Sequence, residues 1–460
     1  MILKGKTIII ASLCLSVLFF GCATYYKQNI AFHNLLETGR LPEAQKYLEK
    51  NNKQADGVNR VLYNLNLGTT AYLNQDYQKS IGAFKTADLY QEDFSNQLGY
   101  EALALISNPM VKPYRLEYFE AVMIHYYQAL NFIALQDYEG ALVECRRVNL
   151  QLQRINDQFK NHNNKYARDA FAHNLMGIIY EASGDYNNAF IAYRNAIEIY
   201  ENDYKTLYGL DVPLQLKKDV IRSAAMTGFL DQVDFFERKF SIKYEPLSTD
   251  NGQLVCFWMN GLGPVKSEWS INFVNTGYNN GWITLANEET GMSFPFFIGN
   301  KSSDEKHALA NLRALRIAFP RYTERRPKYS QALLQANQQT ISLELAQNIN
   351  AIAFQSLNDR MWREIGNSLL RLATKKALEE LASSKNKDLG AILSLVNAFT
   401  EKADTRNWQS LPYAISYGRL SLPEGEHGVS ILPDGNTANT VDQSITIKKG
   451  RTSFLSFHQF

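Results

Sequence analysis

Few residues in this sequence stand at spacings that do chemistry. Asn260–Glu268 (NGLGPVKSE) gathers two glycines, a proline and a lysine, but a phosphate cradle needs Gly-Lys followed by Ser or Thr, so the stretch reads as a turn between strands. Asp404, Arg406 and Trp408 are spaced to form a buried ion pair beside an aromatic plug, which pins a helix-to-strand junction rather than catalysing a reaction. The histidines are His33, His125, His162, His173, His307, His427 and His458; none forms HExxH or a Cys/His cluster with metal spacing. His125 and His173 fall at repeat positions where a bulky side chain packs. There is no GxSxG elbow, Cys145 has no evident histidine partner, and the Glu288-Glu289 pair is too common to diagnose glycoside hydrolysis. Trp258, Trp269 and Trp282 remain: aligned on an open cleft above a carboxylate they suit sugar rings, and buried they are packing. The expectation is therefore a protein without catalytic residues, metal or cofactor and without a small-molecule substrate. A glycan-binding protein or hydrolase using these tryptophans is the alternative.

The net charge of +2 lacks the basic footprint of a nucleic-acid binder. Apolar content of 45% and charged content of 20% are ordinary for globular domains, and the length allows two or three of them. Met1–Lys6 carries two lysines, and Thr7–Phe20 is uncharged. That run is shorter than the ~20 residues of a membrane span but fits the apolar region of a signal peptide. Loss of Lys4 and Lys6 with such a leader leaves basic and acidic side chains equal in number. Leu18-Phe19-Phe20-Gly21-Cys22 resembles the bacterial lipobox, with Phe19 where leucine is usual. The resemblance implies a covalent lipid on Cys22, cleavage before it and acylation of the new amine. Several acyl chains anchor stably where one does not. Ala23 rather than Asp after Cys22 implies, by resemblance to Gram-negative lipoproteins, an outer-membrane protein facing the periplasm. Cys145 and Cys256 read as two buried thiols rather than one disulfide.

Steps of 3.6 residues organise the chain beyond Cys22. In Phe171–Tyr200, Met176, Gly177 and Tyr180 precede the Gly184-Asp185 turn, and Ala189, Tyr193 and Ala196 follow it. Small residues stand where helices approach, and Asp185 is placed to cap the second helix. The pattern recurs at Gly68, Tyr72, Asp76-Tyr77, Ser80, Phe84 and Ala87, and again at Ala129, Asp137-Tyr138, Ala141 and Cys145, with a weaker copy at Leu41, Ala44 and Leu48. These residues resemble tetratricopeptide (TPR) repeats, although Asp76, Asp137 and Asp185 are unevenly separated against a period of about 34, so extra helical segments such as 99–107 must be inserted. The TPR register implies a groove lined by Leu62, Leu65 and Tyr72, then Met123, Tyr126, Leu130 and Ile133, then Phe171, Asn174 and Ile178. This apolar face holds either a partner's peptide or helix, or the chain's own C-terminal half. Leu214–Phe240 reads as capping helices.

The pattern then turns to period two: Gln253–Gly261, SEWSINFVN, GWITLAN and SFPFFIG read as strands. Pro320 and Pro327 bracket an expected loop, IAFPRYTERRPKY. A helical pattern is expected from Gln338 to Ser383, with a second helix over 389–402, and strands return at YAISYGRLSL, HGVSIL and SITIKKGRTSFLSF. The last stretches resemble PEGA-type surface β-modules at Pro423, Gly425 and His427. The fold class expected is α+β, an N-terminal TPR-like α-solenoid followed by a β-rich domain with a long helical insertion. Its parts are a leader (1–21), a lipidated tether (22–28), the helical repeats with their caps (29–243), β-rich segments (253–337 and 404–460) and the insertion between them (338–403). As a whole the chain resembles TPR-containing envelope lipoproteins. That resemblance implies a non-enzymatic scaffold for an envelope protein complex, by analogy of architecture with those serving outer-membrane assembly or cell-wall synthesis.

Overall fold

The computed structural model describes residues 25–93, 110, 112–157, 165–300, 302–310, 314–385 and 403–460. The leader, Cys22, the segment 99–107 and the helix expected over 389–402 lie outside the described residues. A helical array precedes a β-rich region. Its helices are α1 (Ile30–Glu37), α2 (Leu41–Lys50), α3 (Arg60–Leu73), α4 (Tyr77–Asp93), α5 (Tyr118–Ala134), α6 (Tyr138–Asp157), α7 (Ala170–Ala182), α8 (Tyr186–Ile199), α9 (Leu214–Thr227) and α10 (Leu230–Phe240).

Among the described residues, five helix pairs close with one turn. A residue one or two positions past the first helix bonds back three residues and its successor bonds back five: Gly39→Leu36 with Arg40→Leu35, Gln75→Tyr72 with Asp76→Ala71, Gln136→Ile133 with Asp137→Phe132, Gly184→Glu181 with Asp185→Tyr180, Gly228→Ala225 with Phe229→Ala224. This is a helix C-cap, and its first residue is left-handed in every case, at φ 60 and 62 for Gln136 and Gln75 as for the three glycines. Asp76, Asp137 and Asp185 then cap the second helix by accepting from Lys79, Gly140 and Asn188 N–H groups. One local device thus sets the angle of every pair, and glycine sits where the helices touch: a Cβ on Gly177 would lie 2.4 Å from the Tyr193 ring.

The β-region forms two sheets. Strands are β1 (Asn251–Asn260), β2 (Val265–Asn279), β3 (Trp282–Asn287), β4 (Met292–Phe297), β5 (Ala314–Thr323), β6 (Ala332–Ala336), β7 (Gln339–Asn348), β8 (Ala414–Pro423), β9 (Gly425–Pro433), β10 (Val441–Ile447) and β11 (Thr452–Gln459). The larger sheet runs β10-β9-β6-β7-β8-β1-β11, with β1 parallel to β11 and antiparallel to β8. Laid flat, its two edges would be about 29 Å apart. Yet β10 and β11 are those edges, and the connection 448–451 reaches at most about 17 Å. The sheet must curl until its edges approach. Leu254, Cys256 and Trp258 fill its interior with Leu334, Leu420, Val429 and Ile431, while Val255, Phe257 and Met259 face the helices.

Three segments differ from the sequence reading. Gln339–Asn348, read as the start of a helix, is strand β7, joined to β6 through left-handed Asn337 and Gln338. Its Ala, Leu, Gln and Glu favour helix, and cross-strand pairing overrides that preference. The expected loop at Pro320 is instead the end of β5, where proline costs no ladder bond because β5 is an edge strand. The expected tether ends at Thr24, because Tyr25–Gln28 is a helical turn and Tyr25 is buried. The small sheet, β4-β3-β2-β5, is covered by α11 (Ser303–Ala310) and α12 (Ile349–Lys385). Ile365, Leu369 and Leu372 of α12 pack on it, whereas Ile349, Ile352 and Leu357 join the helical core.

Gly177→Ala is expected to cost about 1–3 kcal/mol by overpacking against Tyr193. Gly82→Ala, at an exposed helical position with open space for a Cβ, is expected to gain up to about 1 kcal/mol. Urea unfolding of the two variants measures both.

Candidate interaction site

The concave face of the array is occupied by the chain itself. Phe171 of α7 meets Phe257 and Tyr417, at ring centroids of 6.2 and 6.3 Å. Tyr72 O–H donates to Ser456 at 2.9 Å, and Tyr200 O–H to the Ala346 carbonyl at 2.7 Å. Gln347 donates to Asp169 at 2.8 Å, beside the Tyr166 hydroxyl. All ten groove residues are buried: Leu62, Leu65, Tyr72, Met123, Tyr126, Leu130, Ile133, Phe171, Asn174 and Ile178. They present no open groove, because β1, β8 and β11 cover a face too apolar to stay wet. Of the two occupants the sequence allows, the C-terminal half is the one seated there.

The segment 403–413 runs between the two halves, and Thr405 to Leu411 are buried throughout. A buried irregular segment must find partners for its polar groups. Trp408 packs against Phe84 and Tyr127, and its indole N–H is shared by Thr69 Oγ1 at 3.0 Å and Ser410 Oγ at 2.9 Å. Its backbone N–H donates to Glu120 Oε1 at 2.6 Å, and Tyr114 O–H donates to Oε2 of the same carboxyl. Arg406 grips Asp404 with two N–H groups, at 2.9 and 2.6 Å, and donates to Asn59 and the Lys112 carbonyl. Asn407 bonds the Pro264 carbonyl.

Charge is buried in neighbouring pairs with opposite fates. Burial penalises Glu117, but the cations of Arg360 and Lys266 outweigh it and hold the carboxyl below its usual range. Burial raises Glu120, the adjacent Glu117 charge adds to it, and the result is about 7. At the other end of the array, Glu181 of α7 receives Arg222 of α9 at 2.7 Å, Arg419 of β8 at 3.0 Å and the Tyr193 hydroxyl at 2.7 Å. Burial opposes its charge, and Arg222 and Arg419 overcome that to bring it down to about 2. The Arg222 Nη2 that donates to Glu181 also donates to Asp219 at 2.6 Å. These clusters tie helices to strands.

The three tryptophans are not brought together. Trp258 is inside the curled sheet, Trp269 packs on Phe319 in the small sheet, and Trp282 is exposed beside Phe297. The aligned aromatic platform that the glycan alternative needs is absent from this geometry. Cys145 and Cys256 are buried free thiols. His125 is not mere apolar filling, since its Nδ1 lies 2.8 Å from Glu144 Oε2. Pro423 ends β8, and Gly425 and His427 stand at the start of β9, with His427 Nε2 2.8 Å from the Pro423 carbonyl, but β8–β11 interleave with β1, β6 and β7 rather than standing apart as a module. Among the described residues no group of three or more His, Cys, Asp and Glu is placed to hold a metal, and no helix is long and apolar enough to cross a membrane.

Among the described residues, one apolar patch left open lies at the end of the array; Trp282 and Phe297 make another on the small sheet. Met226, Phe229, Leu230 and Phe235 are exposed on the last helix pair, Leu230 at 71%. Phe229 packs on Phe190, and Phe235 on Phe236, so the patch continues into the core beneath it. The sequence reading treated these helices as a cap and missed it; the signal was the run Phe229-Leu230 and Phe235-Phe236, more aromatic than a polar cap requires.

No protein-family model and no curated protein matches the chain. Among solved structures it is similar to MamA, at 16% identity over 45% of this chain and 91% of that one, with a TM-score of 0.29. It is similar to nearly identical TPR-like repeats from Podosopora anserina, at 14% identity over 47% and 95%, with a TM-score of 0.30. It is also similar to the apo form of RapI, at 16% identity over 52% and 58%, with a TM-score of 0.33. These likenesses concern the helical fold alone.

Two measurements probe the buried charges. Glu120 binds its proton more tightly folded than unfolded, so its contribution to stability is present below 4.5 and lost as pH rises through about 7. Urea midpoints of Glu120→Gln and the unaltered protein are expected to shift in the variant's favour between pH 5 and pH 8; a constant gap rules the titration out. Glu181→Ala strands Arg222 and Arg419 without their shared anion and is expected to cost about 3–5 kcal/mol in equilibrium denaturation.

Proposed function

We propose that this chain is a non-enzymatic, lipid-anchored protein of the bacterial envelope that docks a partner protein through the free end of its helical array. The location is the outer membrane facing the periplasm, and the role is scaffolding a complex for outer-membrane assembly or cell-wall synthesis. The observation that carries the docking reading is the patch of Met226, Phe229, Leu230 and Phe235 on the last helix pair. A repeat array buries each pair's apolar face against the next pair, so its end is ready-made for one more amphipathic helix. The occupant fitting it is a partner's helix with an apolar stripe. The lipobox at Cys22 supports the anchor, and the internal pairing of the buried ionic clusters supports a structural rather than catalytic use of charge.

A photo-crosslinker at Leu230 in the acylated protein in its own cells is expected to yield one discrete adduct with an envelope protein, lost in a folded Phe235→Asp variant. Adducts spread over many proteins, or one insensitive to Phe235→Asp, overturn the docking patch. Metabolic palmitate label is expected on the unaltered chain and absent from Cys22→Ser.

A further inference from the structure

We propose that the face formed by the Tyr25–Gln28 turn, α1 and the segment 321–328, where β5 runs out into a loop, rests on anionic lipid headgroups. Its orientation rests on the proposed lipid anchor; its chemistry stands apart from it. Tyr25 is buried, its N–H reaching Thr405 Oγ1 and its hydroxyl accepting from Asn66. Between Cys22 and this fixed residue the chain spans at most about 11 Å. A body held that closely cannot stand off from the bilayer and must lay the surface around Tyr25 against it.

That surface is basic. Tyr26 stacks on His33 of α1, and Glu37 at the end of α1 lies 3.6 Å from Arg325. Arg325 also donates to the Gly263 and Gln409 carbonyls, which fixes the loop beside α1. From the end of β5 into the loop the chain reads RYTERRPK: Arg321, Arg325, Arg326 and Lys328 against Glu324, in a chain whose net charge is only +2. Arg321, Arg326 and Lys328 are exposed, the Arg326 side chain at 87%. Glu324 lies 3.2 Å from Arg326 and Glu37 3.6 Å from Arg325, so the four cations of the segment outnumber these two carboxylates. Exposed Ile30 of α1 supplies an apolar contact. Cations beside a lipid anchor and facing anionic headgroups are a second membrane signal of the kind that makes acyl anchoring stable.

The full chain carrying Cys22→Ser, which takes no lipid, is mixed with vesicles of phosphatidylethanolamine containing phosphatidylglycerol, and with phosphatidylcholine vesicles. Sedimentation with the first is expected to exceed the second by about five-fold or more and to fall in high salt. Arg326→Glu with Lys328→Glu is expected to abolish the difference, while Lys218→Glu with Arg238→Glu on the last helix pair leaves it intact. Binding that ignores phosphatidylglycerol or the first pair of substitutions overturns the proposal. In the acylated protein, a spin label on Arg326→Cys is expected at headgroup depth and one on Leu230→Cys in water, with buried Cys145 and Cys256 unlabelled. Equal accessibility of the two labels overturns the orientation even where Cys22 carries lipid. If Cys22 carries none, the anchor fails and vesicle binding alone decides the basic face.

Discussion

Trp408 is buried against the stacked rings of Phe84 and Tyr127, on a segment that has no helix or strand to satisfy its own backbone. Keeping that indole dry requires walls on both sides, the array on one and the curled sheet on the other. It also requires Glu120, Thr69 and Ser410 to meet the polar atoms that come in with it. The array's concave face has the complementary need: an apolar surface of this extent is unstable in water. Each half therefore completes the other, and neither buries its own apolar face alone.

The ionic clusters arise from the same arrangement. Glu117, at the start of α5, is held by Lys266 of β2 and Arg360 of α12; Glu181, on α7, by Arg222 of α9 and Arg419 of β8. Charges this deep contribute little net stability over apolar replacements, but breaking one partner is costly, so they fix how the halves register. α12 spans both cores, its first turns in the helical one and its later turns under the small sheet. With the concave face occupied, the surfaces left open are outer ones, among which the aromatic end of the array and the basic face around Tyr25 are chemically distinct.

Much of the array was legible in the chain order. The Asp-Tyr pairs, the small residues at Gly68 and Gly177 and the aromatics opposite them are local signals, and helix pairs are built from local contacts. The left-handed turn residues were half visible: Gly184 announces itself, whereas Gln75 and Gln136 adopt the same backbone because the repeat requires it. β7 was hidden, since Gln339–Asn348 carries helix-forming residues and becomes a strand only between β6 and β8. The ten groove residues were identifiable as one apolar face, but not their occupant, which lies hundreds of residues away along the chain.

The sequence by itself determined the repeating helix pairs, the boundary where periodicity changes from 3.6 to 2, and the lipobox-like stretch at Cys22, because each is written in residues a few positions apart. The tertiary structure alone decided what fills the concave face, that the larger sheet curls, that buried Tyr25 leaves only two residues between it and Cys22, and that Arg325 sets a basic loop beside α1. Those depend on pairings such as Tyr25 with Thr405 and Tyr72 with Ser456. Between residues so far apart, no periodicity links one side chain to the other; only burial of the shared apolar face brings them together.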